Sequence, residues 1–351
     1  MNISCITVDP NNSQIWYIGT GEQYMYGAAV GNGVYKTTNG GNNWVNVHVQ
    51  LAGGGNSGND FAGLYFINDI IAWDNAGSTV LFIGVGSHYY YNSSNPRDWL
   101  GKQNAGLYTS IDQGTNWSRI ETPNLKLSPT SSYFIIPNDF EISTDNKIWM
   151  GTIKTPGTIY GGGKVFSSVD GTNWTLVKNL PNSNRVELAV SKTNDSIMYA
   201  LTEGTTSAGP HIYATTDAFV SVTELAKPDA VDVKISANDF TRGQAWYNLM
   251  IEVDPTNDQV FYVGGIDLFR SDQGANTNLA TKWKQISKWS NNNNMAALNC
   301  SLVHTDQHAF AFRPGFSNEA IIGNDGGIYY ASNLATADIN AAILVRNKDY
   351  N

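Results

Sequence analysis

Short apolar runs recur along the chain, each preceded by a stretch in which apolar and polar residues alternate. The runs read IWYIGT (15–20), LFIGVG (81–86), IWMGTI (148–153), IMYALT (197–202), VFYVGG (260–265) and AIIGND (320–325). The stretches before them read CITVDP, IIAWDN, FEISTD, LAVSKT, IEVDPT and AFRPGF. Alternation places every second side chain on one face of a half-buried strand, and a short unbroken apolar run suits a strand covered on both faces. A third strand follows each run, and in most units a glycine-containing turn and a Trp-bearing fourth strand come next. Aligned on Gly19, Gly84, Gly151, Leu201, Gly264 and Gly323, the unit repeats every 50–67 residues. Six four-stranded units of this length predict an all-β chain, a β-propeller of antiparallel blades. The blades are expected near 1–48, 66–120, 134–177, 185–224, 246–286 and 302–351, within an intact ring of six to eight.

The turns before the fourth strands carry the sharpest local signal. They read TTNGGNNW (37–44), SIDQGTNW (110–117) and SVDGTNW (168–174), with an eroded copy in TTDAFVSV (215–222). In the fifth unit SDQG (271–274) is separated from Trp283 by an insertion. Asp and Asn side chains hydrogen-bond the backbone of a turn, Gly accepts a positive φ, and Trp packs on the sheet. This assigns turn roles to Asn39, Gly41 and Trp44, to Asp112, Gly114 and Trp117, and to Asp170, Gly171 and Trp174. The pattern resembles the Asp-box, or BNR, repeat found in sialidases, sortilin-type receptors and xyloglucanase-type glycoside hydrolases. The longer stretches GTGEQYMYGAAVGNGVYKTTNGGNNW and HTDQHAFAF with GNDGGIYY are similar to secreted BNR-repeat proteins of Bacteroidota-like bacteria. That resemblance implies a secreted or cell-surface protein, often one part of a longer polypeptide.

Loop length is uneven in a regular way. Connections between first and second strands are short (DPNNSQ, STDNK, SKTNDS, DPTNDQ), whereas those between second and third strands span 20–32, 86–105, 153–163 and 202–210. Several fourth-to-first connections are long as well: 49–65, 121–133, 225–245 and 287–302. Both long classes leave a propeller on the same side, and loops on a rigid scaffold are where binding residues concentrate. Tyr24, Tyr26, Tyr89, Tyr90, Trp99 and Tyr160 lie in these loops. With Arg185 and Glu187 at the start of a first strand, they form a candidate platform for a glycan or a protein surface. Packing of the loops onto the blades explains the same rings equally well.

The formal charge of −9, with only 15% charged residues, argues against nucleic acid or an anionic membrane as partner. No apolar run reaches the roughly 18–20 residues that span a bilayer, and no basic-then-apolar leader opens the chain. The chain therefore reads as a fragment or a mature form. Its two cysteines, Cys5 and Cys300, make neither a disulfide framework nor a zinc cluster, though a single bridge between them stays open.

Catalysis has partial candidates. The seven arginines are too dispersed for a sialidase carboxylate clamp. A glycoside hydrolase needs two carboxylates across a cleft, and Asp69, Asp139 and Glu22 are the first to test. His304, Asp306 and His308 alternate in VHTDQHAFAF, so an extended strand there would gather two imidazoles and a carboxylate on one face as ligands for a divalent metal. The duller account is a first strand whose polar start satisfies its neighbours. No GxSxG element occurs, and GGGK (161–164) lacks the Ser/Thr of a phosphate-binding loop. The expectation is a non-catalytic binding propeller without a cofactor, with a hydrolase or a structural module of a surface protein as alternatives.

Overall fold

The computed structural model describes residues 2–23, 31–47, 49, 66–90, 98–100, 102–205, 209–276 and 282–347, with only the backbone of 89–90 and 98–100. Its main elements are six four-stranded antiparallel sheets. Blade 1 runs β1 (Ile3–Val8), β2 (Trp16–Thr20), β3 (Val34–Thr37), β4 (Val45–Asn46). Blade 2 runs β5 (Ile67–Asn75), β6 (Ser78–Val85), β9 (Gly106–Ser110), β10 (Ser118–Arg119). Its long connection carries a hairpin of its own, β7 (His88–Tyr90) and β8 (Asp98–Leu100). Blade 3 is β11 (Ile136–Ile142), β12 (Ile148–Ile153), β13 (Lys164–Ser168), β14 (Thr175–Asn179). Blade 4 is β15 (Ser183–Val190), β16 (Met198–Gly204), β17 (His211–Thr215), β18 (Thr223–Leu225). Blade 5 is β19 (Met250–Val253), β20 (Phe261–Gly264), β21 (Leu268–Ser271), β22 (Trp283–Gln285). A short parallel pair, β23 (Ser287–Lys288) and β24 (Ser301–Leu302), precedes blade 6. Blade 6 is β25 (Gln307–Phe312), β26 (Ala320–Asn324), β27 (Gly327–Ala331), β28 (Leu344–Arg346).

The chain forms two compact units, 1–142 with 146–186, and 143–145 with 187–351. In the first, the core fills the spaces between successive blades. Tyr17 and Val34 of blade 1 pack on Ile70, Leu81, Ile83 and Tyr108 of blade 2. Trp73 and Phe82 of blade 2 pack on Phe140, Met150, Phe166 and Trp174 of blade 3. In the second unit, Tyr199 and Leu201 of blade 4 meet Ile251, Phe261 and Val263 of blade 5. Met250, Tyr262 and Leu268 of blade 5 meet Phe310, Ile322 and Tyr329 of blade 6.

The repeated glycine has a steric reason. A methyl group built on Gly84 would lie 2.8 Å from the Pro137 carbonyl oxygen, and one on Gly151 would lie 2.7 Å from that of Val186. On Gly19 it would lie 2.5 Å from Ile67, and on Gly264 it would lie 2.6 Å from Gln307. Each of these glycines therefore seats the first strand of the following blade. Gly323 differs: its nearest neighbour is Ala309 of its own blade, at 3.4 Å.

First strands start irregularly. A register shift falls between Ile3 and Cys5, Ile67 and Asp69, Pro137 and Asp139, and Gln307 and Ala309. Each bulge re-aims one side chain, and in the first unit that side chain clamps the next first strand. Ser4 Oγ donates to the Ile67 carbonyl at 2.5 Å, Asn68 Nδ2 to that of Pro137 at 2.9 Å, and Asn138 Nδ2 to that of Val186 at 2.9 Å.

The Ser/Thr–Asp/Asn turns close as their sequence predicts. In blade 2, Ser110 Oγ donates to Asp112, whose carboxylate accepts from the Asn116 amide and side chain. Gly114 has φ 87°, and Trp117 Nε1 returns a hydrogen bond to its carbonyl. Blade 3 repeats this around Asp170, and its Trp174 is 1% exposed. The eroded fourth copy keeps the geometry without the glycine. Asp217 accepts from Ser221, and Phe219 takes the positive φ of 64° with a fully buried ring. These hydrogen bonds hold the Asp112 carboxyl below the usual carboxylate range and that of Asp170 down at about 2.

The bridge left open between Cys5 and Cys300 is not made; both are free thiols. Burial is the main reason the Cys5 thiol lies far above its usual pKa and that of Cys300 is pushed up to about 11.

Gly151→Ala is expected to cost about 1–3 kcal/mol by overpacking, and Gly323→Ala less than about 0.5 kcal/mol; urea unfolding of the two variants checks the contrast. Asp170→Ala is expected to lose about 1 kcal/mol near neutral pH. A carboxyl depressed in the folded state stabilises above its unfolded pKa and stops doing so as pH falls through the folded value. The gap between wild type and Asp170→Ala should therefore narrow below pH ~4 and close near about 2, measured by acid titration of the folded fraction.

Candidate functional site

Several expected site residues turn out to serve the scaffold. Asp69 accepts from the Ile70 amide on one oxygen (2.7 Å) and from the Phe140 amide of blade 3 on the other (2.8 Å). Its carboxylate ties two first strands together. Asp139 holds the equivalent position in blade 3, half-buried and opposite Gly151 as Asp69 is opposite Gly84. Glu22 and Arg185 are 7% and 5% exposed, so neither presents a charged head to an open surface. Glu187 is half-buried, and Tyr160 is 57% exposed. Tyr24 and Tyr26 lie outside the described residues. Tyr89 and Trp99 are opposite each other in the β7–β8 hairpin, with Tyr90 next in register, and their side chains lie outside the description.

His304, Asp306 and His308 do not form the expected ligand face. The strand begins only at Gln307, and Asp306 adopts φ 64°, which breaks the alternation the three residues would need. Asp306 instead accepts from Asn248 Nδ2 (2.7 Å) and Thr305 Oγ1 (2.8 Å). His304 Nδ1 faces the Thr305 carbonyl at 3.2 Å. Among the described residues no three or more His, Cys, Asp or Glu side chains converge as a metal site.

His308 keeps a role, with other partners. It occupies the β25 bulge, the position held by Asn68 and Asn138 in blades 2 and 3. Its Nε2 lies 2.9 Å from Asp325 Oδ1, and the Tyr247 hydroxyl donates to the same oxygen at 2.6 Å. The Tyr247 and His308 rings meet edge to face, 4.5 Å apart. Trp246 follows on, its ring 5.6 Å from that of Tyr247 and tilted by 34°. All four side chains are at least partly exposed.

A cavity of about 220 Å³ adjoins Trp246, lined also by Glu203, Asp239, Thr241, Ala245 and glycines 204, 209 and 243. That is below the roughly 300–1,000 Å³ of a drug-sized site, so it admits one small ring. Asp239 is held by the Thr241 and Gly243 amides. Beneath, His211 Nδ1 is 2.7 Å from Glu224 while its buried Nε2 has no hydrogen-bond partner.

Sequence reasoning picked out His308 and passed over Trp246, Tyr247 and Asp325. The available signals were the adjacent aromatics in QAWYNLM, just after the long 225–245 loop, and the GNDGG turn between β26 and β27.

No family model matches the chain, and no curated protein does so significantly. Solved structures do. A GH74 xyloglucanase from Xanthomonas campestris superposes with a TM-score of 0.58 at 18% identity, over 95% of this chain and 45% of the enzyme. A GH74 enzyme from Niastella koreensis gives 0.51 at 18% identity, over 97% and 49%. The Kuenenia stuttgartiensis hydrazine synthase gives 0.56 at 11% identity, over 97% and 84%. The chain folds as a β-propeller. It spans about half the length of the two GH74 proteins, and at these identities the likeness extends to the fold alone.

Removing the Tyr247 hydroxyl tests whether the cluster is structural. Because Asp325 and His308 keep about one third of their side-chain surface in water, Tyr247→Phe is expected to cost no more than about 1 kcal/mol of stability, measured by chemical denaturation.

Proposed function

We propose that this chain is a secreted or cell-surface propeller of the BNR/Asp-box kind that binds a glycan without cleaving it. The observation that carries the proposal is Trp246 beside Tyr247, one ring lining a small cavity with two carboxylates, the other fixed by Asp325 and His308. Aromatic faces stack on the apolar faces of sugar rings, and carboxylates accept from their hydroxyl groups. The Tyr247 ring is pre-set by its hydroxyl's hydrogen bond to Asp325, so little entropy is lost in ordering it on binding. The acidic composition is compatible with a neutral glycan and disfavours an acidic one. Two of the structural neighbours are GH74 enzymes, one of them a xyloglucanase, which makes xyloglucan the first ligand to try.

One observation favours a hydrolase as the second reading. Asp325 is a partly exposed carboxylate with two hydrogen-bond partners on one oxygen, a geometry suited to holding a catalytic acid or base.

A glycan array followed by calorimetry on the retained sugars separates the readings. Trp246→Ala is expected to weaken binding at least about tenfold, the loss of a stacked aromatic contact. Retention of no glycan, or equal affinity of wild type and Trp246→Ala, would sink the binding proposal. Release of reducing ends by wild type but not by Asp325→Asn would replace it with hydrolysis.

A further inference from the structure

A second cavity, of about 570 Å³, lies wholly within the first unit, among the short connections of blades 1 and 2. Its size falls in the roughly 300–1,000 Å³ range of small-molecule sites. Three turns line it: the connection from β1 to β2, the tight turn from β5 to β6, and the Asp112 turn that follows β9. The middle one has only two residues, Ala76 and Gly77, at φ 51° and 88°, so it adds little bulk at the rim. The cavity shares no residue with the one beside Trp246, and its assignment does not rest on that site.

Asp9 is the buried charge of this site, only 3% exposed. Its Oδ1 accepts from the Asn11 amide at 2.9 Å and from Thr79 Oγ1 at 2.6 Å. Its Oδ2 has no hydrogen-bond partner among the described residues. A buried carboxylate oxygen without a donor is costly, and the cavity that Asp9 lines is where a donor can reach it. Three side-chain amides line the same cavity, each held at one end. Asn11 Nδ2 donates to Asp74 Oδ1 (3.3 Å) and Thr79 Oγ1 (3.0 Å), which leaves its oxygen open. Asn12 Oδ1 accepts from the Gln14 amide (3.0 Å) and Gln113 Oε1 from Lys36 Nζ (3.0 Å), which leaves both NH₂ groups open. Carboxylates only accept, and backbone amides and ammonium groups only donate, so these partners fix which end of each amide is open.

We propose that this cavity is a binding site for a neutral sugar ring. The open valences are mixed: Asp9 Oδ2 and Asn11 Oδ1 accept, whereas Asn12 Nδ2 and Gln113 Nε2 donate. An anion would meet the carboxylates of Asp9 and Asp112. A metal ion or an ammonium group would use the acceptors alone and face the two amide donors. Hydroxyl groups donate and accept at once, so a polyol satisfies both kinds. Ile111, 81% exposed, also lines the cavity and offers an apolar wall to the C–H face of the ring. The anchoring hydrogen bonds fix the polar groups beforehand, so little entropy is lost in ordering them.

Proton–nitrogen correlation spectra of the whole chain read this site through the side-chain amide signals of Asn12 and Gln113, while binding at Trp246 registers on other signals. In titrations with glucose, galactose, mannose and xylose, at least one sugar is expected to move both signals saturably. A dissociation constant on the order of 1 mM suits a ligand of that size. Asp9→Asn keeps an oxygen for Asn11 and Thr79 but turns the open acceptor into a donor, so affinity should fall at least about tenfold. Asn12→Asp, at an exposed position, keeps the oxygen that holds the Gln14 amide and loses only the donor. It should weaken binding about fivefold, read on Gln113, without touching the buried carboxylate. No response to any of the four sugars overturns the proposal. So does a response to methylammonium chloride or to phosphate that matches the strongest sugar, or equal affinity of wild type and both variants.

Discussion

The approach of one blade's first strand to the second-strand glycine of the blade before it sets the spacing on which the rest of the structure depends. At Gly84 and Gly151 the neighbouring backbone comes so near that even a methyl group would meet a carbonyl oxygen below 3.0 Å. Interiors are packed to crystal density, so this spacing decides which side chains fill the wedge farther out. Tyr17, Phe82 and Tyr262 can be large and fully buried because the inner strands are already close. Blade 4 solves the problem differently. Leu201 replaces the glycine, is fully buried, and joins Leu249 and Ile251 of blade 5 in one cluster. There side-chain contact takes over the work that close backbone approach does elsewhere.

The bulges follow from the same proximity. An inner strand laid against its neighbour leaves carbonyls facing it, and buried carbonyls need donors. Ser4, Asn68 and Asn138 supply them from the one position a bulge can re-aim. Asn suits that position because its amide donates while its carbonyl oxygen stays available: Asn68 Oδ1 accepts from the Gln23 amide. Blade 6 places an imidazole where those blades place an amide. His308 turns to Asp325 in its own sheet, and this substitution makes the polar end of blade 6 chemically unlike that of blades 2 and 3.

Blade number, strand order and the glycine alignment were legible in the sequence because each blade repeats one pattern of alternation, apolar run and turn. Asp112 and Asp170 were legible as turn residues because their partners lie within four residues of them. What could not be read was anything joining residues distant in the chain. Asp69 looked like a carboxylate facing a cleft until the Phe140 amide, 71 residues on, was found against it. Tyr247 and Asp325, 78 residues apart, had no shared motif to link them. Phe219 shows the opposite limit: a turn can lose its glycine and its tryptophan and still keep its shape, because Asp217 and Thr215 hold the backbone and burial of the ring compensates for a strained φ.

Asp306 shows how a single backbone angle settles a question of chemistry. A non-glycine residue at φ 64° costs on the order of 1 kcal/mol or more, and it persists only where its surroundings hold it. Asn248, fully buried, grips one carboxylate oxygen, and Thr305 grips the other. With the backbone turned there, Asp306 faces blade 5, whereas His308 faces the turn between β26 and β27. A divalent ion would need both side chains to converge, against two sets of hydrogen bonds and the bulge that separates them. The polar start of this first strand is therefore partitioned. One half braces the blade 5–blade 6 contact, and the other, through His308 and Asp325, orients an aromatic ring at the surface. The strain at Asp306 is what allows adjacent residues of one short segment to serve both ends.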